Sequence, residues 1–104
     1  MPGGTAAAAD VTGQEDLLRD YRAAFLRFLA RREETALTAG YQLGRTALAA
    51  GRSLLDVVHV HHVVLAEVLR DGPAEEVPEL ARAASGFLVE VLSSYDMARR
   101  GPSD

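Results

Sequence analysis

The chain reads as an all-α protein, an antiparallel four-helix bundle expected to form an intertwined homodimer. Three observations predict this class. Apolar residues recur at three- and four-residue steps along most of the 104 residues, which is the repeat of a helix face. Helix start and stop signals cut that pattern into four segments joined by short links, the arrangement of a bundle. The third segment is apolar on most of its circumference, so it needs more neighbours than one short chain supplies.

Residues 1–11, with Gly3-Gly4 and the Ala6 to Ala9 run, read as a disordered lead-in. The helical domain is expected over 12–100, and 101–104 as a tail. Thr12-Gly13-Gln14-Glu15 has capping-box spacing and opens the first helix. Leu18, Tyr21, Phe25, Phe28 and Leu29 form its apolar stripe. Neither Pro nor Gly marks its end, so the boundary near Arg31 to Glu34 stays open between one long helix, a tight bend and a segment that swings outward in a dimer.

In the second helix Leu37, Tyr41 and Leu48 make the apolar row, and Ala36, Gly40 and Gly44 make a row of small residues. A glycine inside a helix costs about 1 kcal/mol relative to Ala, so a pair of them implies close approach by a neighbouring backbone. Gly51 ends this helix. Ser53 and Asp56 repeat the capping box and start the third, which stops at Asp71-Gly72-Pro73. Leu54, Val57, Val58, Val64, Leu65 and Val68 cover one side, and Leu55, Val60, Val63 and Leu69 much of the rest. The fourth helix follows the Pro73 to Pro78 segment. Its stripe is Leu80, Ala84, Phe87, Leu88, Val91, Leu92 and Tyr95, and Gly101-Pro102 closes it.

Composition excludes several classes. Hydrophobic residues make up 48% and charged residues 25%, an ordinary globular balance in a chain long enough for one domain. With three Phe, three Tyr and no Trp, the core is expected to rest on Leu, Val and Ala. A core this small is marginal, which favours self-association. A net charge of -4 and scattered Arg residues argue against tracking nucleic-acid phosphates. The absence of Cys removes disulfides, thiolate nucleophiles and sulfur metal sites. No basic residue precedes a hydrophobic run at the N-terminus, so no signal peptide is read, and Val57 to Leu69 is too short and polar to span a bilayer. The reading is cytoplasmic.

Chemistry has few candidates. His61 falls within the apolar stripe beside Leu54, Val58 and Leu65, where a histidine is a core residue with its ring hydrogen-bonded. His59 and His62 lie three apart, but zinc would need two more ligands and no Cys or further His exists, so no metal or cofactor is expected. No serine sits in a nucleophile context and no phosphate loop is present, so no enzyme is read. The alternative is histidine phosphotransfer through His59, with Arg52 and Arg70 on the same polar side to hold a phosphoryl group. Against it, Val60 stands where phospho-accepting bundles commonly carry an acid. Partner docking has better support: Glu34, Thr38 and Arg45 share a face away from the Leu37 and Tyr41 stripe, and Val89, Ser93 and Asp96 share a small, flat face of the fourth helix.

Together, Tyr21 to Leu29, Glu34, Tyr41-Gln42-Leu43-Gly44-Arg45, Ser53 to Val58, His61, and Phe87 to Glu90 through Tyr95 to Ala98 resemble the N-terminal domain of RsbU-type serine phosphatases. The likeness covers about Leu17 to Arg100. It implies a helical homodimer, a fold cousin of the C-terminal domain of the clock protein KaiA, joined to a PPM-type phosphatase domain. It also implies docking by a regulatory serine/threonine switch kinase, which turns that phosphatase on to release a stress sigma factor. Glu34, Thr38, Val89 and Ser93 are the expected docking residues. Gly40, Gly44, Leu54, Val58, His61 and Leu65 are the expected core and dimer residues. Two departures stand out: the phosphatase's metal-binding aspartates are absent, so the domain is expected to be an excised fragment or to act alone, and Thr38 is smaller than the aromatic residue expected at a kinase-docking face.

Overall fold

The computed structural model describes the backbone of residues 2–100 and the side chains of residues 13–99. Four helices carry it: α1 (Pro2–Arg31), α2 (Glu34–Ala49), α3 (Leu54–Asp71) and α4 (Val77–Arg100), with a 3-10 turn at Ala74–Glu76. Among the described residues there is no strand. The expected tail, 101–104, and its closing Gly101-Pro102 lie outside the described residues.

α1 is described from Pro2, so Thr12 to Glu15 lie inside it instead of capping its start, and the expected lead-in is helical. The Ala run has the highest helix propensity and nothing between it and Thr12 interrupts the ladder. The open boundary resolves into a tight bend. Arg32 adopts φ 57°, a left-handed conformation that costs a non-glycine residue about 1 kcal/mol or more. Its amide donates to the Phe28 carbonyl at 2.7 Å, its guanidinium lies 6.0 Å from the Phe28 ring centre, and Glu79 of α4 pairs with it at 3.6 Å.

Gly51, at φ +81°, ends α2 as expected, since this backbone conformation favours glycine. Ser53 then accepts from the Asp56 amide at 3.1 Å while Asp56 accepts from the Ser53 amide at 3.1 Å, a complete capping box. α4 begins at Val77, one residue before Pro78. The proline is tolerated there because first-turn amides have no helical acceptor.

Side-chain contacts set the topology. α2 and α4 lie side by side and run the same way: a Cβ on Gly40 would meet the Phe87 ring at 2.9 Å, and one on Gly44 would fall into the Val91 carbonyl oxygen and 3.0 Å from Ser94 Oγ. α1 and α3 also run together, with Tyr21 against His61 and Arg22 against Glu67. α1 opposes α4, from Arg32–Glu79 at one end to the rings of Tyr21, Phe25 and Phe28 around Phe87. The bundle thus mixes parallel and antiparallel neighbours, a detail the antiparallel expectation did not contain.

The core keeps the expected Val and Ala but sets rings where leucines were expected. All three Phe and Tyr21 are buried, whereas only Leu17 and Leu80 represent leucine. Phe87 sits at the centre, its ring 5.4 Å from Tyr21, 5.3 Å from Phe25 and 5.6 Å from Phe28. Rings remove more area per residue than leucines do, so they take the middle of a thin bundle. In α2 the small residues Ala36, Gly40, Gly44 and Ala47 form the buried row, and Leu37, Tyr41 and Leu48 flank it. Only a small side chain fits where α4 comes so close. In α3 the inward residues are Val57, Val60, His61 and Val64. Leu65 is half-buried, whereas Leu54 and Val58 are 46% and 39% exposed, so those two are not core residues of a single chain.

Candidate functional site

Two faces of the bundle and one buried polar seam hold the candidate residues. The first face is formed by α2 and α4. Glu34 and Thr38 are exposed on α2, and Val89 is 64% exposed on α4 with Ser93 half-buried one turn later. The close packing of α2 and α4 brings these four onto the outer flanks of two adjoining helices. Both hydroxyls bond back to their own helix: Thr38 donates to the Glu34 carbonyl at 3.1 Å and Ser93 to the Val89 carbonyl at 2.8 Å. Such bonds back to the helix are easily exchanged for others.

Between α2 and α4 lies a shallow groove of about 410 Å³, lined by Tyr41, Arg45, Leu48, Ala49, Ser94, Met97 and Ala98. Met97 is 60% exposed. Sequence reasoning placed Tyr41 and Leu48 in the core and passed over Met97. The glycines at 40 and 44 held the signal, because helices that close together leave neighbouring long side chains at the rim. Ser94 was also missed as a structural residue: it is buried and donates to the Tyr41 carbonyl at 2.8 Å, tying the two helices together.

The second face belongs to α3. Leu54, Leu55 (77% exposed) and Val58 present apolar surface over the first turns, continued by the half-buried Leu65 and Leu69. Soluble monomers seldom leave a contiguous row of this kind uncovered. Beside it, Leu26, Val64, Val68 and Leu80 floor a groove of about 400 Å³ between α1 and α3.

The buried seam joins α1 to α3. The Tyr21 hydroxyl meets His61 Nδ1 at 2.6 Å, as expected for a core histidine with a bonded ring. Burial pushes the Tyr21 phenol well above its ordinary range. Burial, with a smaller contribution from neighbouring His62, holds His61 below its ordinary value. Arg22 continues the seam with two bonds of 2.9 Å to Glu67. These hold the Glu67 carboxyl below the usual carboxylate range and raise the guanidinium.

His59 and His62 are exposed, and among the described residues no three His, Asp or Glu side chains converge as metal ligands do. Arg52 is not beside His59 on the surface. Its side chain is 13% exposed; it donates to Gln14 at 3.1 Å, and its carbonyl accepts from Tyr95 at 2.8 Å. Arg52 precedes the Ser53 cap, so the helical wheel that set it beside His59 does not apply to it, and its fold-back against α1 was not legible in the sequence. Among the described residues no helix is long and apolar enough to cross a membrane.

Comparison with curated proteins returns no match, and neither does comparison with solved structures. A family match does exist. It spans residues 19–98, which include both faces, the seam and every candidate residue named above except the Arg52 partner Gln14. The chain therefore belongs to the family described as phosphoserine phosphatase RsbU, N-terminal domain.

Proposed function

We propose that this domain is a non-catalytic regulatory module. It self-associates through the outer face of α3, and its α2/α4 face binds a serine/threonine switch-kinase-like protein. That binding controls a PPM-type serine phosphatase in a cytoplasmic partner-switching pathway that governs a stress sigma factor. The observation that carries this reading is the family match over 19–98. Two features support its parts. Val89 is a large apolar side chain exposed on α4, the helix that also lends exposed Met97 to the α2/α4 groove. α3 carries an uncovered apolar row of the kind a homodimer interface buries.

The mechanism is a shift of populations. A partner that binds one arrangement of the dimer better than another moves the attached output domain with it. Thr38 leaves room on α2 where a bulkier residue would fill the face, so the partner's complementary surface protrudes there.

Val89→Asp tests the docking face. The variant places a charge on an exposed position, so helicity and assembly mass stay as in the wild type. Capture of a switch-kinase-like partner is expected to fall at least about tenfold, since a desolvated charge costs several kcal/mol. Undiminished capture would show that the docking face lies elsewhere.

A further inference from the structure

We propose that the Tyr21–His61 pair is a proton-operated latch that holds α3 against α1, and that protonating His61 releases α3. The pair is the polar contact at the centre of an aromatic core: Tyr21 is fully buried, and its ring lies 5.7 Å from His61 and 5.4 Å from Phe87. A buried phenol has one proton to place. Nδ1 is the acceptor it reaches, so the neutral imidazole carries its own proton on Nε2.

The groups around the ring leave an imidazolium without a counter-charge. α1 turns the Tyr21 phenol toward it and packs the Phe25 ring 6.2 Å away. α4 reaches the cluster with Phe87. On α3 itself the neighbouring His62 opposes a second positive charge. Glu67, the acid of the seam, is engaged by Arg22 through two bonds. A protonated Nδ1 can no longer accept from Tyr21: the phenol oxygen must accept from it instead, which leaves the buried hydroxyl proton without an acceptor beside a desolvated charge.

His61 is placed to turn that penalty into movement. It lies on the border of α3 between inward Val57 and Val64 and outward Leu54, Val58 and Leu65. A modest rotation of α3 brings the ring to water, and the same rotation disturbs the apolar row. The consequence for assembly rests on the self-association reading; the latch itself does not. Burial holds His61 below its ordinary value of 6.5. A histidine of this kind gives stability that is complete above the unfolded value and is lost as pH falls below it.

The test follows the imidazole nitrogens of the intact chain by NMR from pH 8 to pH 5. Thermal unfolding and light-scattering mass are measured alongside for the wild type and His61→Gln. The expected result is an Nε2–H tautomer titrating below 6.5. The wild-type unfolding midpoint should drop by about 5 °C more than that of His61→Gln between pH 7 and pH 5, with self-association weakening by up to about a hundredfold per pH unit, one proton for each of two chains, only where His61 is present. An Nδ1–H tautomer, or a ring titrating at or above 6.5, overturns the latch even if His61→Gln does not fold. So does a folded His61→Gln with the wild-type pH dependence. A chain that is monomeric throughout, with the ring behaving as expected, keeps the latch and removes the dimer reading instead.

Discussion

At the scale of single residues, the helix glycines Gly40, Gly44 and Gly86 show how one residue type takes opposite roles. Gly44 faces the Val91 carbonyl, which is backbone and cannot swing away, whereas Gly40 faces the edge of the Phe87 ring. Gly86 has nothing within 4 Å of where its Cβ would stand. Gly44→Ala should therefore destabilise the domain by about 3 kcal/mol through overpacking. Gly86→Ala should stabilise it by about 0.5–1 kcal/mol through helix propensity. Urea denaturation of both variants checks the pair, and equal effects would remove the account of the α2–α4 packing. Tyr21→Phe keeps the ring packing but orphans His61 Nδ1, with an expected cost of about 1–2 kcal/mol at pH 8 by the same method.

At the scale of elements, each helix boundary has a distinct physical cause, and the causes differ in how visible they are. The start of α3 is local: Ser53 and Asp56 satisfy each other's amides within four residues. Ser53→Ala should cost about 1 kcal/mol, read as a lower urea midpoint with an unchanged m-value. The α1–α2 bend is not local. Arg32 tolerates its left-handed backbone because Phe28 lies under its guanidinium and Glu79 comes from α4. No window of neighbouring residues contains that information. The packing of α2 on α4 likewise depends on Phe87 and Val91, more than forty positions from the glycines that admit them.

At the scale of the whole molecule, the distribution of apolar surface matters most. The aromatic centre closes the interior around Phe87, while Leu54, Leu55 and Val58 remain outside. Leu55→Glu combined with Val58→Glu should leave the circular-dichroism spectrum unchanged, because neither side chain belongs to the chain's own core. The same pair should halve the mass measured by light scattering at micromolar concentration, since charges buried in an apolar interface lack partners. An unchanged mass would remove the proposed α3 interface.

What the sequence alone determined was the helical class, the family, the third helix's cap and stop, the Gly51 turn, and the small-residue row that called for a close neighbour. These rest on periodicity, backbone conformation and capping, which act within a few residues of each other. Tertiary structure decided the rest. It chose Val57, Val60 and Val64 as the inner face of α3 over Leu54 and Val58, because a helix apolar on most sides has no preferred face until its neighbours are placed. It put rings at the centre, turned Arg52 inward to Gln14, and packed α2 on α4 with Gly40 against Phe87 and Gly44 against Val91. A helical wheel supplies the angle of each residue about its own axis. Which angle meets another helix is settled only when all four pack together.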